Sequence, residues 1–515
     1  MNSMQHHHVL ILGLGASGLA MARWCARAGA LVTVADTRAA PPQLAALARD
    51  VPAARFVTGP LDVALLQGGI TAVFKSPGLS PADIAPLSKA AQAMAIPVAG
   101  ELSLFAQALA ELKSSRDYAP KVLAITGTNG KTTVTALTGQ LVERAGKSVA
   151  VAGNIGPTLL DTLMLQIDAD ALPEVWVLEL SSFQLEGECS FEPTAGTVLN
   201  ISQDHLDWHG SMAAYVQAKA AVFGQKGLMV LNREDAAVMG LLATEPQAPG
   251  VTKVPATRAK FKKSAPREHI TFGGDMPQRP GDFGIEVVNG MTWLVRALEA
   301  DETIKPRKGE APELFFQRLM PADALRIRGR HNAINALSAL ALACAAGCAL
   351  GPMLYGLREY GGEPHRVQPV GIVNGIEFFD DSKGTNVGAT VAALQGLGAE
   401  RKLVVILGGE GKGQDFSPLA DPAYRYCRAV VLIGRDAPLL RAALADAQVP
   451  MLDAVSMPDA VTQANAQARP GDAVLMSPAC ASFDMFDNYE HRARVFVQAV
   501  QVLALDAGVM LEGSP

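Results

Sequence analysis

Apolar positions along this chain fall into two alternating rhythms. Short runs such as His8–Leu12, Leu31–Ala35 and Ala72–Lys75, bounded by turn residues, read as buried strands, and Gly18–Ala28 carries helical spacing between the first two. Strand–helix alternation of this kind predicts a parallel, doubly wound sheet. The polar stretch Lys113–Pro120 ends in proline and predicts a linker. A second series follows: an apolar strand at Val122–Ile125, a helix from Val134, then strands at Ser148–Ala152, Val175–Leu180 and Gly196–Asn200, and a helical stretch at Met212–Phe223. From about Thr244 to Pro321 the chain is rich in Pro, Lys and Gly and loses periodicity, which predicts irregular β structure with long loops. An alanine-rich helix is expected over His331–Ala346. A third series begins near Gly361, with strands at Ile376–Phe379, Leu403–Leu407, Ala429–Ile433 and Ala473–Met476. The expected architecture is α/β with three domains, 1–117, 118–362 and 363–515, the first and last Rossmann-like.

The turn between Ile125 and Val134 changes the picture most. Gly127-Thr128-Asn129-Gly130-Lys131-Thr132-Thr133 joins a strand to a helix. A glycine-rich turn there aims backbone N–H groups at phosphate, and the helix N-terminus favours negative charge. Lys131 reaches the outer phosphates and the Thr132 hydroxyl ligates Mg²⁺. The first glycine of the full phosphate-loop pattern would fall at Ile125, so this is a shortened variant. It makes the middle domain an ATPase domain of P-loop type. A second glycine turn, Gly13-Leu14-Gly15-Ala16-Ser17-Gly18, fits the dinucleotide fingerprint, with Asp36 at the end of the next strand. Alone it predicts NAD binding, or merely close packing of helix on strand.

Other polar residues cluster at predicted strand ends, where open α/β sheets place their ligands. Glu179 can hold Mg²⁺ or cap a helix. Asp204-His205-Leu206-Asp207 follows another strand. Lys219 reads as a solvated helix lysine; it can bind a cation only after reaction with CO₂ to a carbamate. Asn332 and Asn335 share a helix face and either read an adenine edge or cap the helix. Arg366 can clamp phosphate. Asp380-Asp381-Ser382-Lys383-Gly384-Thr385-Asn386, Gly408-Gly409-Glu410-Gly411-Lys412-Gly413 and Ser477-Pro478-Ala479-Cys480-Ala481-Ser482 close the later strands.

Composition narrows the classes. The 515 residues are 49% hydrophobic and 18% charged, with 44 Lys and Arg against 50 Asp and Glu, net −6, which argues against a broad nucleic-acid surface. No apolar run is long enough to span a bilayer. The six cysteines form no C-x-x-C pair and fit thiols in a reducing cytoplasm. His6-His7-His8 leads directly into a strand with no signal-peptide pattern. A soluble cytoplasmic protein is expected.

Taken together, G-L-G-A-S-G, G-T-N-G-K-T-T, G-N-I-G (Gly153–Gly156), E-L-S-S-F-Q-L, D-H-L-D, H-N-x-x-N-A-L, E-P-H-R, D-S-K-G-T-N and G-G-E-G-K-G resemble, in this order, the Mur ligase family. The resemblance implies a UDP-binding first domain, a middle domain for ATP and Mg²⁺, and a third that closes over nucleotide and amino acid. It implies UDP-sugar contacts at Ser17, Asp36, Thr37 and Asn154, and ATP contacts at Gly127–Thr133, Asn332, Asn335, Arg366 and Asp381. It implies two Mg²⁺ held through Thr132, Glu179, His205 and a carbamylated Lys219. Thr385, Lys412, Ser482 and Tyr489 match the amino-acid pocket, with Lys131, His205, Lys219 and Lys412 at the reaction centre. Phe483 stands where leucine is usual, Tyr489 where phenylalanine is usual, and Arg494 where glycine is common. The implied activity is addition of D-glutamate to UDP-N-acetylmuramoyl-L-alanine, with ATP as co-substrate, by a monomer. The alternatives are a family ligase for another amino acid, an NAD-dependent oxidoreductase using the first glycine turn, and an ATPase switch.

Overall fold

The computed structural model describes residues 4–188, 190–243, 267–301, 312–399 and 401–511. They form three α/β units, each around its own sheet. The first sheet is fully parallel, in the order 55–58, 31–36, 8–12, 72–75, 98–99. After strand His8–Leu12 the helix Ala16–Arg27 carries the chain to one side, and Ala72–Lys75 adds on the other. The strand order therefore reverses beside Gly13, the place where such sheets open a crevice.

The middle sheet has nine strands, in the order 314–321, 291–299, 283–288, 269–272, 228–232, 195–198, 121–126, 175–179, 149–153. Strand Lys121–Thr126 lies between Val175–Glu179 and Ala195–Val198, all parallel, so its carboxyl end opens between theirs. Its interior residues Leu123, Ala124 and Ile125 are fully buried, as a strand covered on both faces requires. The third sheet runs 368–373, 376–380, 473–476, 403–408, 427–433, 451–453, with only the first strand antiparallel.

Two expectations shift. Helix Glu101–Arg116 runs through the first half of the predicted linker, leaving 117–120 as the connection. Its Phe105 packs edge-on against Trp176 of the middle sheet, ring centroids 5.1 Å apart. One apolar cluster therefore spans the first and middle domains. The stretch near 244–321 is more regular than its composition predicts. Phe283–Val288, Met291–Glu299 and Leu314–Pro321 pair as an antiparallel extension of the sheet; residues 244–266 and 302–311 lie outside the described residues. Cys25, Cys344, Cys348, Cys427 and Cys480 are free thiols; Cys189 lies outside the described residues.

Gly408 closes strand Leu403–Gly408 at φ +132°, and a Cβ there would stand 1.7 Å from the Ile433 carbonyl oxygen. Gly408→Ala is expected to lower unfolding free energy by about 2–4 kcal/mol, from left-handed strain plus a backbone clash. Urea denaturation monitored by circular dichroism checks this; an unchanged midpoint contradicts it.

Candidate active site

The phosphate loop grows out of the middle of the nine-stranded sheet. Ile125 is in register with Glu179, and Glu179 in turn with Gly153, so three strand ends lie side by side. Gly127 adopts φ +156°, and a Cβ there would stand 3.0 Å from the Leu199 Cβ. Only glycine lets the loop pass that close. The next strand end pins the loop: Thr128 N donates to Asn200 O and Asn129 N to Asn200 Oδ1, both at 2.9 Å. Helix Lys131–Arg144 then starts three residues earlier than the apolar spacing predicts, leaving its first N–H groups facing the loop mouth.

Two lysines meet under this loop. Lys131 Nζ donates to Gly127 O and Thr128 O, each at 2.9 Å. Lys219 Nζ donates to the same Gly127 O at 2.9 Å and to Thr126 Oγ1 at 3.3 Å. The expected solvated helix lysine is thus 1% exposed, on a face turned into the protein and over the Tyr215 ring. Burial, reinforced by the Lys131 charge, pushes its pKa well down. Burial also lowers that of Lys131, although Glu179 and Asp204 oppose it. Lowering the pKa of an amine raises the share present as the free, nucleophilic base.

Glu179 is 1% exposed. Its Oε1 accepts from Asn154 Nδ2 at 2.7 Å, while Oε2 is buried without a partner. His205 stands at φ +52° with its ring 4.7 Å from Phe183, and its Nε2 is 3.6 Å from Asp204 Oδ2. Burial lowers its pKa, favouring a neutral ring with a lone pair to give. Among the described residues no three His, Cys, Asp or Glu side chains gather as a metal-binding group. A hard cation that takes one carboxylate, a hydroxyl and phosphate oxygens needs no such cluster, and the unpartnered Glu179 oxygen fits it.

The third domain reaches into the same place. Arg366 NH2 donates to Thr132 Oγ1 at 2.7 Å across the domain boundary. Beside it lies a cavity of about 110 Å³, lined by Asn129, Gly130, Asn332, Asn335, Arg366 and Asp381 among others. Asn335 Nδ2 donates to Asn332 Oδ1 at 3.2 Å, so the helix holds the two amides as a pair. Burial pushes the Asp381 carboxyl up to about 7, against a 2.6 Å hydrogen bond from Ser477 Oγ that lowers it. Lys383, absent from the predicted set, lines the same cavity with its ammonium 3.9 Å from the Tyr489 ring centre. Its signal lay in the D-S-K motif, where a lone lysine reads as solvated.

The remaining candidates are more dispersed. Lys412 is exposed, at φ +52°, with Nζ 5.6 Å from the Phe483 ring centre. Tyr489 turns instead to Lys383 and to the His365 ring, while Ser482 is buried and Thr385 N donates to Lys383 O at 2.9 Å. Ser17, Asp36 and Thr37 line one cavity of about 390 Å³ with Gly13, Gly15 and Arg38. Asp36 accepts from Leu14 N at 2.7 Å and from the Arg38 guanidinium at 2.8 Å, which holds its carboxyl far below the usual range. Gly18 serves packing, since a Cβ there would lie 2.0 Å from Gly13 O. Asn154 stands apart from this cavity, beside Glu179.

Comparison with known proteins gives the class. Residues 7–100 match the MurD-like N-terminal domain of Mur ligases, 125–273 the Mur ligase middle domain and 365–480 the Mur ligase glutamate ligase domain. The chain belongs to the Mur ligase family. It is 72% identical over 515 residues, all of both chains, to the UDP-N-acetylmuramoylalanine--D-glutamate ligase of Albidiferax ferrireducens. Proteins of the same name match at 57% in Polaromonas sp. (99% of this chain, 100% of that one) and in Burkholderia pseudomallei (98% and 99%). Among solved structures, the fold resembles the MurF ligase of Thermotoga maritima in complex with ADP, with TM-score 0.54, 14% identity, and 97% and 96% of the two chains covered. It also resembles the UDP-N-acetylmuramate-alanine ligase of the same organism, with TM-score 0.51, 19% identity, and 96% and 100% covered.

Proposed function

We propose that the chain joins D-glutamate to UDP-N-acetylmuramoyl-L-alanine, converting ATP to ADP and phosphate, as a cytoplasmic step of peptidoglycan precursor synthesis. The observation that carries the reading is the meeting of Lys131 and Lys219 on the Gly127 carbonyl under the phosphate loop. Lys131 is the cation that meets a polyphosphate, and the depressed Lys219 amine is the group open to reaction with CO₂. Whole-chain similarity to ligases of that name supports the choice of substrates. The reading takes the chain as a monomer.

A carboxylate is a poor electrophile, and the reaction first activates it. The terminal carboxylate of the precursor attacks the γ-phosphoryl group of ATP, giving an acyl phosphate and ADP. Lys131 and Arg366 offset the charge that spreads over the transferring group, a reaction that depends mostly on positioning and electrostatics. The D-glutamate amine then attacks the acyl carbon, and a tetrahedral intermediate collapses to amide and phosphate. The cavity beside Ser17, Asp36 and Thr37 takes the UDP end, and Asn154, next to Glu179, marks the line from that end to the reaction centre. Asn332 and Asn335 face the nucleotide base, and Asp381 faces the nucleotide across the same cavity. Thr385, Lys412, Ser482 and Tyr489 form the D-glutamate pocket, with the Lys412 ammonium pairing a carboxylate of the amino acid. Thr132, Glu179, His205 and the carbamate of Lys219 would hold Mg²⁺, two ions in this reading, which would supply positive charge against the phosphates. The free Lys219 amine adds through nitrogen to the carbon of CO₂ and gives up one proton to solvent, so that repulsion between two lysines becomes attraction between a carbamate and Lys131.

Lys131→Ala is expected to cut acyl-phosphate formation roughly a thousandfold while UDP-precursor binding survives. Rapid-quench assay and calorimetry check the two halves; unchanged turnover contradicts the phosphate-loop role. Lys219→Ala is expected to lose at least roughly a hundredfold in ligation, with partial recovery on adding a small carboxylate such as acetate. Full activity without it removes the carbamate. Lys412→Ala is expected to raise the D-glutamate KM roughly tenfold and leave ATP affinity alone; an unaltered amino-acid KM counts against the pocket.

A further inference from the structure

Helix Val387–Gly398 begins where the third domain meets the middle one, and Asn386, its cap, uses both ends of its side-chain amide. Oδ1 accepts from Ala389 N at 2.9 Å and closes the first turn of the helix. Nδ2 donates to Asn129 Oδ1 of the phosphate loop at 3.0 Å and lies 3.4 Å from Asp204 Oδ2, one residue before His205. The side chains of the middle domain also come close to the Gly388 backbone, since a Cβ there would stand 2.8 Å from Ser202 Oγ and 3.0 Å from Asn129 Nδ2. On the other side, Val387 N donates to Gln414 Oε1 at 3.1 Å, and Gln414 Nε2 to Gly411 O at 3.0 Å. Two consecutive residues thus tie the phosphate loop and the Asp204–His205 turn to the loop that carries Lys412.

We infer that Asn386 is a positioning residue, whose amide latches the third domain onto the phosphate loop and sets the Lys412 loop relative to the nucleotide. This rests on the ligase reading of the site. Capping alone does not call for asparagine, because aspartate and serine cap about as well. What the amide supplies beyond them is an acceptor for its own helix on one atom and, on a second atom, a donor that reaches the facing domain. Asn386 is 8% exposed, so a donor left unpaired there has little access to water, and breaking the latch is costly. Asn386 touches no reacting atom in this reading; it acts through Asn129 and Gln414.

The test uses the full chain with Asn386→Asp and Asn386→Ser. Both keep the cap, so Tm is expected within about 2 °C of the parent. Aspartate has no donor and the shorter serine hydroxyl, engaged as the cap, does not reach Asn129, so kcat is expected to fall roughly ten- to a hundredfold with a raised D-glutamate KM, while UDP-precursor affinity by calorimetry is unchanged. Small-angle scattering with ADP is expected to give a larger radius of gyration for both variants than for the parent. Asp204→Asn combined with Asn386→Asp reverses donor and acceptor, and its kcat is expected to exceed the product of the two single losses by roughly tenfold. Parent-like kcat and compaction, an additive double variant, or a loss of activity that only follows a loss of Tm each overturn the latch. If the parent fails to ligate D-glutamate, the ligase reading falls, while the scattering comparison still judges the latch.

Discussion

The Gly127 carbonyl is the point on which the middle domain turns. Lys131 and the fully buried Lys219 both donate to it. The groups around it act on that charge. Glu179 and Asp204 act on Lys131 from the protein side, and the open mouth of the loop faces the side from which a polyanion enters. The sheet makes this possible by aligning three strand ends, so that carboxylate, loop and the Asp204–His205 turn converge without a long connection. A site of this kind is poised by repulsion and settled by its substrate.

Arg366 and Asn386 give the third domain its part. Both reach across to the phosphate loop, one to the Thr132 hydroxyl and one to the Asn129 amide. The domain that carries Lys412 is thereby registered against the loop that carries Lys131. A reaction in which the second substrate must meet an unstable intermediate benefits from such registration, because closure also excludes water.

Much of this was readable in the residues, for reasons that separate what was from what was not. The strand–turn–helix at Ile125–Lys131 was legible because glycine, lysine and threonine at fixed offsets have few other uses. The start of its helix was placed late because Thr132 and Thr133 interrupt the apolar spacing. The depth of Lys219 was hidden, since a helix lysine reads as solvated until the strand it faces is known. Asn386 was hidden in the same way, because it acquires its facing partners only when a second domain is brought against it, and Lys383 meets the Tyr489 ring only through the fold of its own domain. The strands after residue 280 were legible only as irregular β structure, because Pro and Gly break the alternation that marks a regular strand. Asn154 was grouped with the UDP-binding residues by resemblance, while the fold sets it beside Glu179. Fold class was therefore more legible than the site, because periodicity is local and a site is assembled from distant segments.

The two domain junctions differ in kind. The first and middle domains share a continuous apolar cluster through Phe105 and Trp176, whereas the buried apolar clusters of the third domain stay within it. The third domain's hold on the phosphate loop is made of hydrogen bonds between polar side chains. Water competes with contacts of the second kind, whereas the first junction is held by apolar burial with the ion pairs Arg23–Asp161, Arg27–Asp168 and Lys75–Glu186 beside it. The first two domains therefore form a fixed pair, and the third is an arm whose polar grip water can replace.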